Sequence, residues 1–561
     1  MCTPNNQPTY SMKKITLLLL LVLSQTVFAH TQLTETQKLA ATCKVWGFLK
    51  YYHPKVADGS KNWDEQLFII LPLVEKAQTK EEFSMVLESL IDGLGEVKKI
   101  APIAIPKGIE YFDKNFDLSW INNNKLFSKN LSGKLKFIAE NRFQGDQYYV
   151  DTHEDGNIFI KNENYSAYKF KDKNIQILTF FMYWNVIEYF FPYKYLMDQQ
   201  WDVTLEKMLP FFIEAKNENE FYTAMQKVTV ALNDTHTTFY TDDSSINGTY
   251  FLPDHYRIID DKLIVTEILN ESLAKEHDIK IGDVITKLNG KTVKQIILEN
   301  RELINGSNEA AYLNNLVDSP ILDSAAALKM EFLKDGVTTT KTINDYYSNN
   351  FIYDKNRFNK GIKKEKFKIL DNSIGYVDMG ILRVNNVPEM IEKLASTKAI
   401  IFDMRNYPHE TYEVISNFLN ANQEKFVIYT KPDLKHPGRF QWTEPQFTGR
   451  ENKNNYKGKV VVLLNEKSMS QSEWTAMCFQ TAGNTTIIGS QTAGADGNVT
   501  DILIKDISTR ISGLGVYYPD KRETQRIGII PDIEIKPTIK GIQEGKDEVL
   551  DRALQFIETG K

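Results

Sequence analysis

Two side chains in this sequence have the type and the setting for nucleophilic chemistry: Ser470 and His236. Ser470 lies within KVVVLLNEKSMSQSEWTAMCFQ, residues 459–480. Residues 460–464 form an unbroken apolar, β-branched run, the pattern of a strand buried on both faces. Asn465-Glu-Lys-Ser468 then turns the chain, and 472–480 reads as a helix with Trp474, Met477 and Cys478 on one side. A strand, a tight turn carrying serines and a helix start expose a hydroxyl, and the N–H groups of that helix start can hold an oxyanion. The same letters have a plainer reading. Ser470-Gln-Ser-Glu473 is S-x-x-E and Ser468-Met-Ser-Gln471 is S-x-x-Q, both of them capping boxes.

His236 stands in Leu232-Asn-Asp-Thr-His-Thr-Thr-Phe-Tyr240. Neutral imidazole is available near pH 7 and can take a proton from a weak nucleophile, although a histidine in a Thr-rich turn is more commonly an ordinary hydrogen-bonded residue. Its turn closes the second copy of an internal repeat. Trp46-Gly-Phe-Leu-Lys-Tyr-Tyr-His-Pro54 precedes Trp63-Asp64, Leu71-Pro72 and Glu82-Phe83. Trp184-Asn-Val-Ile-Glu-Tyr-Phe-Phe-Pro192 precedes Trp201-Asp202, Leu209-Pro210 and Glu220-Phe221. The intervals agree throughout: 8 from Trp to Pro, 9 to the next Trp, then 8 to Leu-Pro and 20 to Phe. Two related helical units are expected at 30–101 and 176–245, around a mixed insert at 102–175 whose alternation at 147–151 and 157–161 suggests strands. In this register Lys98 stands opposite His236, so only the second copy carries the histidine.

Residues 263–268 read as a strand, and Ser272-Leu-Ala-Lys275 as a short helix. His277-Asp-Ile-Lys-Ile-Gly-Asp-Val-Ile-Thr-Lys-Leu-Asn-Gly290 resembles the PDZ signature, in which a Gly-Asp turn leads into a strand ending in Asn-Gly. An Asn-Gly hairpin of any other kind is the simpler reading. With an apolar helix expected at 293–304, a PDZ-like β domain is assigned to 246–345, and such modules bind peptide ends by strand addition. No clear carboxylate-binding glycine loop stands in front of 252–259. Beyond a polar linker at 345–366, residues 374–379, 399–402, 460–464 and 486–488 read as strands, with a helix at 387–396. Strands alternating with helices give an α/β core with a mainly parallel sheet across 346–561. Functional residues gather at the carboxyl ends of such strands, where Asp403-Met-Arg-Asn-Tyr-Pro408 and 465–470 stand. Residues 511–520 and 528–538 read as late strands. Residues 547–557 read as a closing helix with Leu550, Ala553, Leu554 and Ile557 on one face.

In this order the motifs resemble the serine peptidases that include the tail-specific (C-terminal processing) proteases, the tricorn core and the interphotoreceptor retinoid-binding protein. Four motifs carry the resemblance: Asn233-Asp-Thr-His236, Asp403-Met-Arg-Asn406, Ser470-x-x-Glu473 and Gly528-Ile-Ile-Pro-Asp532. It runs from about Thr179 to the C-terminus. The resemblance implies a ClpP/crotonase-like spiral core with a helical N-terminal cap, and Ser470 as nucleophile. Tail-specific proteases use a lysine base, whose position falls here on Ala495. The tricorn-like branch instead uses a histidine after a hydroxyl residue, which matches Thr235-His236. A group near the Gly-Ile-x-Pro-Asp motif then orients that histidine, and Glu523 is the nearest candidate. The oxyanion donors implied are the N–H of Gln471 and one from the loop after Asp403-Met-Arg. The family loop usually carries glycines there, whereas this chain has Tyr407-Pro408-His409-Glu410. Pro408 has no N–H, so His409 or Glu410 must supply the second donor.

At 561 residues the chain is too long for one core. Its 42% hydrophobic and 25% charged residues are ordinary for globular protein, and a formal net charge of −6 gives no reason to expect nucleic acid. No metal-ligand spacing, G-x-G-x-x-G or Walker loop is present, so neither a metal nor a cofactor is expected. Met12-Lys-Lys-Ile-Thr, the apolar run 17–23 and Val27-Phe-Ala29 read as a secretory signal at 1–29, with the start at Met12 and cleavage near Ala29. The run is too short to span a bilayer comfortably, and no cysteine marks a lipid anchor. Periplasmic or secreted export without a stable membrane span is therefore expected. Cys43 and Cys478 then remain, with no disulfide framework. The expected function is an exported serine peptidase that cuts peptides or unfolded proteins by acyl transfer through Ser470 and His236. The alternative is a non-catalytic protein that binds peptides or apolar ligands on the same scaffold.

Overall fold

The repeated tryptophans fold the same way in both copies. Trp46 and Trp63 stack with ring centroids 6.3 Å apart, and each indole N–H donates to the other residue's carbonyl, at 3.3 and 3.0 Å. Trp184 and Trp201 stack at 6.2 Å, with the corresponding bonds at 3.1 and 3.0 Å. A buried indole needs a partner for its one donor. The reciprocal pair satisfies both donors and locks two helices in register.

The structure, a computed structural model, describes residues 33–163, 172–241, 250–251, 254–319, 327–344, 346–347, 365–504 and 507–561. The expected signal at 1–29 and most of the expected linker at 345–366 lie outside the described residues. The chain divides into two compact units, Met1–Ala104 with Asp117–Gln144, and Ile105–Phe116 with Gly145–Lys561.

The first unit is helical: Glu35–Tyr52, Trp63–Lys76, Lys80–Gly93 and Lys129–Glu140. Thr34 with Gln37, and Thr79 with Glu82, form capping boxes that start two of these helices. Asn62 and Ser128 accept N–H groups at the other two starts. Trp46, Phe48, Tyr52, Leu67, Phe83 and Leu87 are fully enclosed in its core.

In the second unit the strand Tyr111–Phe112 and the antiparallel pair Val150–Thr152 and Ile158–Ile160 come before helices Lys173–Phe190, Trp201–Glu214 and Glu218–Val230. An antiparallel module follows, in the strand order Val337–Asn344, Ala327–Lys334, Val284–Leu288, Lys262–Ile268, Asp254–Ile259. The helix expected at 293–304 ends at Glu299, because the Asn300 side chain turns back to the Ile296 carbonyl. A further helix, Glu309–Val317, follows it.

The central sheet is mixed and mostly parallel, ordered Phe367–Leu370, Ile374–Asp378, Ala399–Asp403, Lys459–Leu464, Thr485–Gly489, Ile533–Glu534, with only the first pair antiparallel. Ile400, Phe402, Val460, Val462, Leu464 and Ile487 pack on the side of helix Gln471–Gln480. Ile401, Val461, Leu463 and Ile488 pack with Val549, Ala553 and Ile557 of helix Glu548–Thr559. Both faces are dry, which is why the run 460–464 shows no alternation. Each enclosed valine or leucine there contributes about 1.5–3 kcal/mol of transfer free energy.

Two late readings change. Residues 511–520 do not make one strand. Ile507–Ser512 pairs with Val499–Ile504 and with Thr238–Thr241, whereas Gly515–Tyr517 pairs with Glu424–Pro432. The break falls at Gly513, where a Cβ would stand 2.5 Å from Thr500 Oγ1. Residues 528–538 contribute only the short strand Ile533–Glu534. Among the described residues no helix is long and apolar enough to cross a membrane.

Candidate active site

Parallel register sets Asp378, Asp403 and Leu463 side by side. The chain therefore leaves two adjacent strands at the same end, into residues 404–409 and 465–470. Hydroxyls fasten these two loops together: Ser468 Oγ donates to the Met404 carbonyl at 2.7 Å, and Ser472 Oγ to that of Asn406 at 3.3 Å. Asp403 itself is structural. It accepts from the Tyr376 hydroxyl at 2.8 Å and from Arg405 at 3.0 and 2.6 Å, and Arg405 also bridges to Asp547.

Ser470 sits at the helix start with φ 54° and ψ −114°, a backbone region sparsely used by residues with a side chain. Such a residue costs about 1–3 kcal/mol and persists only where its surroundings hold it. Its N–H is held by the Ala495 carbonyl at 2.9 Å and by Glu473 Oε2 at 3.2 Å. The next residue, Gln471, begins the helix, and its N–H donates to no protein group among the described residues. That leaves a donor at the positive end of the helix dipole, beside a turn that lifts the serine away from the helix.

Glu473, the second letter of S-x-x-E, is 1% exposed and does more than cap. Its carboxylate also accepts from Gly494 N–H at 2.9 Å, Ala495 N–H at 3.1 Å and the Thr492 hydroxyl. It thereby staples the strap 492–495 to the serine turn. Burial raises its pKa to about 7, and the four donors pull it back. Asp496, next along the strap, is pushed well above the usual carboxylate range by burial and by Glu473. Gly528, from Gly-Ile-Ile-Pro-Asp532, lies against this staple: a Cβ there would stand 2.2 Å from Thr492 Oγ1 and 3.0 Å from Glu473 Oε1. Asp532 ties the same motif to the sheet, accepting the Ile487 N–H at 2.8 Å.

His236 follows a turn in which Asp234 is fully buried. Its Nδ1 lies 3.0 Å from Ser512 Oγ, and Ser512 Oγ lies 3.0 Å from Asp234 Oδ1. A carboxylate only accepts, so the Ser512 proton goes to Asp234 and Ser512 Oγ accepts from Nδ1–H. This fixes the tautomer and leaves Nε2 as the basic nitrogen. Asp234 also accepts the N–H groups of His236 at 3.1 Å and Ser512 at 2.7 Å, and Gln525 Nε2 at 3.2 Å. Burial, the larger influence, and Arg510 lower the His236 pKa below its ordinary value, while Asp234 opposes them. The imidazole is neutral near pH 7.

No hydrogen bond joins Ser470 to His236 among the described residues, but a short chain of bonds links their turns. Thr235 Oγ1 donates to the Ala493 carbonyl at 3.1 Å, and Ala493 N–H donates to Ser468 at 3.0 Å. Glu523 is placed elsewhere. Its carboxylate accepts from the Tyr195 hydroxyl at 2.5 Å and pairs with Lys114 at 2.9 Å, whereas the groups that meet His236 are Ser512 and Asp234. The His409 ring contacts the Gly380 carbonyl at 3.0 Å, and its N–H makes no hydrogen bond among the described residues. Sequence reasoning missed Ser512, whose only signal is a place on the strand that pairs with Thr238–Thr241. Asp234 had a weak one, two residues before the histidine. Among the described residues no group of three or more His, Cys, Asp or Glu is placed to hold a metal ion.

Residues 373–535 match the model of Peptidase family S41. The matched residues hold strands Ile374–Asp378, Ala399–Asp403, Lys459–Leu464 and Thr485–Gly489 of the mixed sheet together with the serine turn. Mature CPAF complexed with lactacystin aligns with 69% of this chain and 99% of its own, at 13% identity and a TM-score of 0.54. Mature CPAF alone aligns with 69% and 98%, at 13% identity and 0.55. The photosystem II D1 C-terminal processing protease aligns with 67% and 98%, at 15% identity and 0.39. The CPAF likeness establishes a shared fold. No curated protein matches the sequence significantly.

Proposed function

We propose that this S41 peptidase is an exported Ser/His enzyme that cuts peptide bonds by acyl transfer. Ser470 Oγ attacks the scissile carbonyl carbon while its proton passes to His236 Nε2. The N–H of Gln471, with a second donor at His409, holds the oxyanion. The tetrahedral intermediate collapses as His236 gives that proton to the leaving amine, and water then repeats the sequence on the acyl-enzyme. Neutral His236, oriented through Ser512 by Asp234, supplies about 10²–10⁴-fold. The observation that carries the reading is the held, positive-φ Ser470, whose turn is tied through Ala493 to the turn of a buried imidazole with Nδ1 engaged by Ser512.

The antiparallel module 254–344 is read as PDZ-like. Its edge strand Asp254–Ile259 and helix Glu309–Val317 line a groove of about 650 Å³, with Ile258, Leu313 and Val317 on its apolar side. An extended peptide can add to such an edge. Export rests on the signal-like segment at 1–29.

A fluorophosphonate probe on the mature protein tests the site, with intact mass and peptide mapping. One adduct on Ser470, absent in Ser470→Ala and strongly slowed in His236→Ala, is expected. No adduct on folded wild type sinks the Ser/His reading and favours the binding-protein alternative.

A further inference from the structure

The segment 305–308, the last part of the connection 300–308 between helices Val293–Glu299 and Glu309–Val317, touches both halves of the candidate site. Asn305 Nδ2 faces three carbonyls of the histidine turn: Thr237 at 2.6 Å, Thr235 at 3.0 Å and Asp234 at 3.4 Å. Ser307 is 1% exposed and locks to Thr235 in both directions. Its Oγ accepts Thr235 N–H at 2.8 Å, and its own N–H donates to Thr235 Oγ1 at 2.8 Å. Asn308 Nδ2 donates to the Thr492 carbonyl at 2.9 Å, on the strap that holds Ser470, while its Oδ1 caps helix Glu309–Val317 through Ala311 N–H at 2.9 Å. Gly306 admits no slack: a Cβ there would stand 2.7 Å from the Tyr312 backbone.

A turn whose carbonyls converge on one amide has a single arrangement. Three carbonyl dipoles pointing at one spot repel one another until a donor stands between them, and Asn305 is that donor. We infer that Asn305 is a positioning residue for His236, acting through the carbonyls of Asp234, Thr235 and Thr237, with Ser307 as its support. It touches neither the imidazole nor Ser470. It fixes the turn from which the imidazole projects toward Ser512, and so fixes the tautomer that leaves Nε2 basic. Asn308 carries the same segment to the strap of Ser470, so one four-residue piece sets base and nucleophile together. The inference rests on His236 serving as the base.

Two readouts on the full chain separate this inference from that premise. The first follows the His236 imidazole by NMR in protein with 13C-labelled histidines, assigned by loss of one signal in His236→Gln. The second is the rate of fluorophosphonate labelling at Ser470. In wild type, the His236 signal should be that of a single Nδ1–H tautomer. Asn305→Ala should convert it to a mixture of tautomers and slow labelling about 10–100-fold, part of what a positioned base supplies. Asn305→Asp keeps the shape but removes the donor, so it should be at least as impaired; a near-wild-type Asp variant means the side chain only fills space, and overturns the inference. Should Asn305→Ala fail to fold by circular dichroism, Ser307→Ala takes its place, with the same change expected at about 3–10-fold. An unchanged His236 signal and labelling rate in a folded variant overturns the inference. If wild-type Ser470 does not react with the probe, the proposed function fails, and the His236 signal alone still decides the role of Asn305.

Discussion

The Nδ1 of His236 stands 3.0 Å from the hydroxyl of Ser512, which itself donates a hydrogen bond to Asp234 3.0 Å away. The carboxylate therefore orients the imidazole through an intervening hydroxyl. Two of its further donors, the N–H groups of His236 and Ser512, come from the very residues it organises.

Asp234→Asn should lower kcat/KM on an unstructured peptide by about 10²–10⁴-fold with KM little changed, because the amide can donate to Ser512 Oγ and reverse the relay. Ser512→Ala should cost about tenfold, the worth of one well-placed hydrogen bond. Glu523→Gln, whose partners are Tyr195 and Lys114, should stay within about threefold of wild type. Equal losses in Glu523→Gln and Asp234→Asn would return the orienting role to Glu523.

The pH dependence of labelling follows from the depressed His236 pKa. On the proposed Ser/His mechanism only the neutral imidazole can accept the serine proton, so the rate should rise with pH and level off at a midpoint below the ordinary histidine value of about 6.5. Arg510 helps to depress that value. Arg510→Gln should therefore move the midpoint upward. A midpoint at or above the ordinary value in wild type would contradict the buried, neutral imidazole.

Gly528→Ala tests the staple that holds Ser470. The added Cβ meets Thr492 Oγ1 at 2.2 Å, and the backbone there has φ +68°. Overpacking of this kind costs about 1–3 kcal/mol. Urea unfolding should show that loss, and labelling of Ser470 should slow in parallel. A variant equal to wild type in both would mean that the strap 492–495 moves freely.

His53 gives the helical unit an acid sensitivity of its own. It is enclosed, its Nε2 has no hydrogen-bond partner among the described residues, and burial lowers its pKa to about 4. The folded-state value lies below the unfolded one, so the unfolded chain binds more protons between the two. Stability is therefore full above about pH 6.5 and falls as pH drops toward 4, by about 1–3 kcal/mol in all. The matching position of the second repeat is Phe191. His53→Phe should flatten the difference between urea unfolding at pH 7 and at pH 5, and an undiminished difference would show that other groups set it.

Much of this protein is determined by local sequence. The run 460–464, the serine turn and the helix after it were legible because burial on both faces, turn residues and a helix start each leave a short-range pattern. The two tryptophan repeats were legible from spacing alone, since each pair closes within seventeen residues. Glu473 was legible only as a cap. Its further partners, Thr492, Gly494 and Ala495, lie some twenty residues on, and nothing local announces them. The partners of His236 were out of reach altogether. Ser512 stands 276 residues away in sequence and 3.0 Å away in space, brought there because its strand pairs with Thr238–Thr241. Glu523 was chosen by nearness to a motif, and the fold gave that carboxylate to Tyr195 and Lys114 instead. Sequence sets which residues can do chemistry. Which of them meet is decided by strand pairing and by buried donors and acceptors that must find partners, and these are properties of the whole chain.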